Sequence, residues 1–499
     1  SLGTLLITQA PRISRENLRR YYGLIFEQRT EDEEQEQGLV HREYEPDRPD
    51  DLPYYEEISA SVSTESRSSR SVWESLRRSF QVNFILLLAV VLLGLVTIVL
   101  VYVDLNTTNS CIEWKHYNHS TPSTIKVLQI IGTCLSALPL YLWFPVSAAM
   151  LWGLKEFKDN HLSCLFVSCF TAALTMVYRA VFFDQFSVTS NYKYRLPDNL
   201  LFVFTILLGA YLVARKLKQI SPTLDYSLCQ IYFSLSFTFI ACTVLSYIYT
   251  YIIVEHFKET HSKLKKAMIA ALTPGLVLVP TAVTKYLVLR KISEIILVDK
   301  AFVLCYFLRG GAIGLYRTMQ SDFQNIWLFI GLSLLHGVSN VLSKATLNLR
   351  IKTWKCFISL ANRTRCGATL EVLPYDTPRI RRFNADLEIQ NILFEYTTVI
   401  LSQAYLVLYL TTNFIVHPWE IIKSSLIRIC VSTAIDFVFN IISVFIQIHV
   451  YDIPMRRVWL KYWRRHLFAT SFIIISMISY FGVPLVAVFV AREDRRLEY

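Results

Sequence analysis

From residue 80 onward the chain is organised as apolar runs separated by short polar and basic stretches. A bilayer span needs roughly 20 apolar residues in helical form, and Phe84 to Val103 meets that length without one charge. Further runs are Val127 to Trp152, Leu162 to Phe183, Leu200 to Ala214, Tyr226 to Val254, Ala267 to Leu289, Ala301 to Tyr316, Ile326 to Leu347, Ile392 to Val416, Ile429 to Ile448 and Leu467 to Val490. Backbone groups in hydrocarbon must bond within their own segment, so such runs are helices. The pattern predicts an all-α, polytopic transmembrane bundle of about 10–11 spans over 80–490. The first run is expected to act as a signal anchor.

The flanking segments have a different character. Residues 1–79 carry an acidic run at Glu31-Asp32-Glu33-Glu34, a Pro/Asp stretch and a Ser/Arg segment, and are expected to be a disordered cytosolic tail. Residues 491–499 form a short polar end.

Composition supports lipid as the main solvent. A chain of 499 residues that is 53% hydrophobic and 18% charged has too little polar surface for a water-soluble globule of that size. The net charge of +11 falls in clusters at the ends of apolar runs, which argues against nucleic acid and for topology determinants. Lys155/Lys158, Arg215/Lys216/Lys218, Arg290/Lys291, the segment 348–390 and Arg456/Arg457 then lie on the cytosolic side together with the N-terminus. An integral protein of the plasma membrane or an endomembrane is expected. Lys258, Lys263, Lys265 and Lys266 resist this scheme by facing outward. Sequons at Asn106 and Asn118 fall in the first external loop, consistent with N-glycosylation there. Of ten cysteines, most lie inside apolar runs, and no CxxC or Cys/His spacing indicates a metal or a cofactor.

Self-similarity suggests two parallel four-helix units, 125–257 and 267–416. Pro139 and Pro145 match Pro274 and Pro280 in spacing, and Tyr178-Arg179 with Asp184 matches Tyr316-Arg317 with Asp322. In that register Arg179 and Arg317 are equivalent charges at helix ends, each beside an acid, suited to a gate or to interface anchoring.

Charge inside a span is costly and marks function. Arg309, followed by Gly310 and Gly311, sits mid-span, with Asp436 as its expected partner and Glu395 nearer the cytosolic end. The glycines allow a helix break or a close helix approach. His336 is a further polar group in an apolar run, but the Trp-rich surroundings of a membrane-bound acyltransferase histidine are missing, and no paired catalytic constellation points to an enzyme.

Soluble segments add partner candidates. Tyr55-Glu56-Glu57-Ile58 has the form of a Tyr-x-x-apolar signal for a sorting adaptor or a phosphotyrosine reader, with Tyr55 and Ile58 as its anchors. The 348–390 loop joins basic and apolar groups as an anionic-lipid contact does. Together these features predict a transporter or channel for a small solute or ion. A receptor or scaffold working through its cytosolic tail is the alternative.

Overall fold

The computed structural model describes residues 71–116, 127, 130–132, 134–182, 192–221, 226–291, 295–363, 377–413 and 418–490. Among the described residues there is no strand, and nine helices are long and apolar enough to cross a membrane. The protein is a multi-pass helical membrane protein in contact with the lipid bilayer.

The first described helix is α1 (Val72–His116), which carries the charge-free run. Its backbone remains helical through Asn106, so this sequon lies on a helix rather than in a loop, while Asn118 falls outside the described residues. Then follow α2 (Ala137–Trp152), the short α3 (Leu154–Asn160) and α4 (Leu162–Val181). Gly153 separates α2 from α3 at φ 96°, a left-handed value that favours glycine, and its N–H still donates to the Ala149 carbonyl at 2.9 Å. Helix α5 (Tyr192–Ile220) precedes α6 (Leu228–Ile248), which begins at a capping box: Ser227 Oγ accepts from the Gln230 N–H and the Gln230 side chain accepts from the Ser227 N–H.

Turns of other than α geometry interrupt the middle of the chain, the last of them a π-helical turn at Leu287–Lys291. A π-helical turn, Tyr249–Ile253, joins α6 to α7 (Val254–Glu259), and a 3-10 turn at Thr273–Val277 divides α8 (Lys263–Leu272) from α9 (Leu278–Tyr286). Pro274 opens the 3-10 turn, where its missing N–H removes no bond the turn needs. Pro145, in contrast, is accommodated inside the continuous α2. The two proline pairs therefore shape their spans differently.

The second half contains α10 (Val298–Asp322), α11 (Ile326–Ala345), α12 (Leu347–Arg363), α13 (Pro378–Asn413), α14 (Pro418–Tyr451) and α15 (Met455–Val490). Helix α10 is enclosed: from Ala301 to Phe323 every residue except Arg309 is buried. A helix covered on all sides needs no uniform apolar surface, because its polar groups meet other helices instead of lipid. That explains how α10, the helix of the expected seventh span, carries Arg309 and Arg317 and is not among the nine apolar helices. The apolar part of α13 is likewise 83% buried, whereas outer helices such as α11 and α14 bury only 28% of theirs.

The segment 348–390 is not a loop through most of its described length, since α12 and the first turns of α13 occupy it. Helix α12 exposes Leu349, Phe357 and Leu360 along one side, and carries Arg350, Lys352 and Lys355. Apolar and basic groups on one exposed helix are the composition of an interfacial helix.

Close approach of α11 and α14 depends on Gly337. A Cβ built there runs into the ring of Phe439, including its Cγ, which cannot swing away as a side-chain tip does. Gly331 on the same helix has open space around it. Gly337→Ala is therefore expected to lower stability by about 1–3 kcal/mol through overpacking. Gly331→Ala should be neutral or raise stability by up to about 1 kcal/mol through backbone entropy. Detergent unfolding curves of the two variants check the pair.

Candidate functional site

A polar seam runs through the second half of the bundle. On α14 the buried positions Ser425, Arg428, Ser432, Asp436, Asn440, Ser443 and Gln447 recur every three or four residues, which places them on one helix face. From Ser425 to Gln447 that face extends about 33 Å at the helical rise. The hydrocarbon core is roughly 30 Å thick. Helix α11 contributes a matching row of Ser333, His336, Asn340 and Lys344, and α13 contributes Glu388, Asn391, Glu395 and Ser402.

At one end, Arg428 closes the C-terminus of α10. Its Nη1 donates to the carbonyls of Phe323 at 2.8 Å and Ser321 at 3.3 Å, and its Nη2 donates to that of Gln324 at 3.1 Å. These are carbonyls a helix leaves unpaired at its end, and a cation there also opposes the helix dipole.

Next comes a fully buried ion pair. Arg317 Nη2 donates to Asp436 Oδ2 at 2.6 Å, with the two side chains 1% and 2% exposed. Arg317 Nη1 also donates to Ser432 Oγ at 3.3 Å and to Gln320 Oε1 at 3.0 Å, while Gln320 Nε2 donates to Ser333 Oγ at 2.6 Å. On the α13 side, Gln403 Nε2 donates to Ser321 Oγ at 2.8 Å, and Ser321 shares a 3.0 Å bond with Ser402.

One level further, His336 Nε2 lies 3.3 Å from Glu395 Oε1, which also accepts from Asn391 Nδ2 at 2.8 Å. The Tyr316 ring stacks on the imidazole at 5.2 Å. Asn340 Nδ2 then donates to Asn440 Oδ1 at 3.3 Å. The final level pairs Lys344 with Glu388, whose other oxygen accepts from Ser443 at 3.1 Å. In each of the three pairs the base comes from α10 or α11 and the acid from α13 or α14.

Arg309 does not reach Asp436. Eight residues separate it from Arg317, about 12 Å along the axis, and Asp436 lies at the level of Arg317. Among the described residues Arg309 makes no hydrogen bond or ion pair, yet it remains partly exposed and within electrostatic range of Glu395, Lys285 and Tyr306. Lys285 on α9 has a neutral partner, donating to Asn384 Oδ1 at 3.1 Å, and lies 5.4 Å from the Phe383 ring. Two cations thus stand beside the seam with no carboxylate bonded to either among the described residues.

The glycines after Arg309 serve close packing, since α10 continues through them unbroken. A Cβ at Gly310 meets Ile473 at 3.1 Å and Phe394 at 3.3 Å, and one at Gly311 meets Phe481 at 3.0 Å.

The two arginines expected to be equivalent have different settings. Arg179 is bonded to Asp198 Oδ2 at 2.6 Å and to Ser136 Oγ at 3.1 Å, partly exposed, whereas Arg317 crosses to α14 in the interior. Asp184 lies outside the described residues, and Asp322 is buried at the end of α10.

A second charged knot ties α13 to α15. Asp386, with 0% exposure, takes Arg382 at 3.1 Å, Arg465 at 3.0 Å and His466 Nε2 at 3.0 Å, and Arg465 also reaches Asp299 of α10 at 2.7 Å.

Arg309, His336, Glu395 and Asp436 were legible as costly charges in apolar runs. Lys285, Lys344, Glu388, Asn391 and the α14 row were not singled out from sequence, although the three-and-four spacing of polar residues from 425 to 447 is a readable signal. Among the described residues no cluster of His, Cys, Asp and Glu has the makings of a metal site. Compared with protein-family models, with characterised proteins and with solved structures, the chain gives no match.

Proposed function

We propose that the protein is a transporter or channel for a small anion, with its path along the seam between α10, α11, α13 and α14. The observation that carries this reading is the pair Arg309 and Lys285, two interior cations without a bonded carboxylate, beside a polar row as long as the bilayer is thick. Charges inside a membrane mark substrate or ion pathways, and positive charge with no bonded carboxylate favours an anion there. The paired side chains at Arg317/Asp436 and His336/Glu395 close the seam, so passage requires those pairs to separate.

Proteoliposomes holding the full chain test this with gradients of chloride, phosphate and lactate. At least one of the three should move faster than in protein-free vesicles, and Arg309→Gln should slow that flux by about tenfold or more, the worth of one charge-assisted contact. No flux of any of the three, or equal flux in the variant, defeats the reading.

The proposal places the N-terminus in the cytosol, following the positive charges, and puts α12 against anionic headgroups. A receptor or scaffold reading rests on Tyr55 and Ile58, which lie outside the described residues. The repeat of 125–257 and 267–416 remains a reading of sequence spacing alone.

A further inference from the structure

Of the bonded pairs in the seam, His336 with Glu395 joins a carboxylate to a base that changes charge near neutral pH. Imidazole does so, guanidinium does not, and an ammonium does so only after a large shift. His336 Nε2 lies 3.3 Å from Glu395 Oε1, with the side chains 14% and 4% exposed. Part of the histidine is therefore within reach of a water molecule, while the carboxylate is sheltered. A proton needs no more room than that.

Charges act on this pair from the helices packed around it. From α10, Arg309, Arg317 and Tyr306 are in electrostatic range of Glu395, and the Tyr316 ring covers the imidazole. From α14, Asp436 is in range of both members, but it is already bonded to Arg317 at 2.6 Å. Helix α13 adds Asn391 and Tyr396. On α11 itself, Lys344 is bonded to Glu388. Helix α8 packs on α11 with Lys263, Lys265 and Lys266 near the level of Phe323, where Lys266 overlies the Phe257 ring. Helix α12, with Arg350, Lys352 and Lys355, follows the far end of α11. Arg309 remains as a cation in range of Glu395 with no bonded carboxylate among the described residues, and Lys285 of α9 is in range of it.

Without a proton on His336, Glu395 is an anion already in place, and it competes for Arg309 with any anion entering the seam. With that proton the pair is neutral overall, and Arg309 is left to the entering anion. When the pair parts, the proton passes from Nε2 to Oε1: one N–H bond breaks, one O–H bond forms, and a neutral imidazole and a neutral acid remain. Neither is a stranded charge, which the interior penalises. Asn391 has an acceptor for the acid, since its Oδ1 is buried without a partner on the amide that donates to Glu395. Arg317 and Asp436 cannot part in this way, because a guanidinium keeps its proton.

We propose that the protein is a proton-coupled anion symporter in which His336 and Glu395 take up one proton for each anion that binds at Arg309. This rests on the anion path proposed above.

The full chain in proteoliposomes tests it with radiolabelled chloride, nitrate and methanesulfonate, anions of strong acids that bring no proton of their own. Potassium is equal on both sides and valinomycin is present, so no voltage drives uptake. Exchange at equal pH and equal concentration reports the path alone. Acidifying the outside by one pH unit should then concentrate the exchanged anion about tenfold inside, the ratio that one-for-one coupling fixes. Glu395→Gln has the shape of the protonated acid, and His336→Gln bonds without titrating. Each should bring that ratio to within about twofold of unity, since neither retains the titrating pair. The steady ratio does not depend on rate, so variants that exchange slowly still report it. Exchange of none of the three anions removes the path and the coupling together, whereas exchange without concentration overturns the coupling alone. Tenfold concentration surviving in either variant overturns the proposal by placing the proton elsewhere.

Discussion

Arg317→Ala should lose about 3–5 kcal/mol of stability, the largest effect expected of any single substitution in the seam. The guanidinium is 1% exposed and Asp436 is 2% exposed, so truncation leaves a buried carboxylate with its counter-charge gone. Gln320 loses a donor at the same time and keeps Ser333 and the Phe329 carbonyl. Both groups are already desolvated, so the loss greatly exceeds the zero to one kcal/mol or so typical of an exposed pair. A double replacement by apolar residues, Arg317→Met with Asp436→Leu, should recover most of that loss, because well-packed apolar substitutes for a buried pair are often neutral or stabilising. Unfolding in mixed micelles by added SDS, followed through tryptophan fluorescence, measures all three proteins. If the single variant unfolds with the parent chain, the pair does not hold α10 to α14. If the double variant is stable but moves no anion, the pair is kept for function, not for folding.

Asp386→Ala is expected to cost a comparable amount, again about 3–5 kcal/mol, for a different reason. One carboxylate there separates Arg382, Arg465 and His466, so its removal both deletes three contacts and brings two guanidinium groups together without a shared counter-ion. Asp299→Ala should cost less, since Arg465 then retains Asp386. The same unfolding assay separates the two variants. Equal losses at Asp299 and Asp386 would show that Arg465 alone, and not the shared carboxylate, ties α15 to the interior helices.

Much of this architecture is written in local pattern. A charge-free stretch such as Phe84 to Val103 has one outcome in lipid, because the bilayer offers its backbone no other partner. Arg309, His336, Glu395 and Asp436 stand out in sequence since charge in an apolar run is costly wherever it ends up. The span assigned to Ala301–Tyr316 shows where such reading weakens. Hydropathy assumes a helix facing lipid, and α10 faces almost only protein. Similarly, counting Arg and Lys between 348 and 390 suggested a loop, although α12 is built from the same residues with its apolar positions along one side.

By itself, the sequence determined that this is a helical membrane protein, approximately where its helices lie, and which ionisable groups must be sheltered. Only the tertiary structure decided who shelters whom. Arg317 meets Asp436 across 119 positions and His336 meets Glu395 across 59, while Arg309, the expected partner of Asp436, has no bonded carboxylate among the described residues. The physical reason is that helix formation is settled by bonds within a few residues. The pairing of charges depends instead on the rotation and depth at which packed helices come to rest, and ring and glycine contacts far apart in the chain, such as Gly337 against Phe439, set those two quantities.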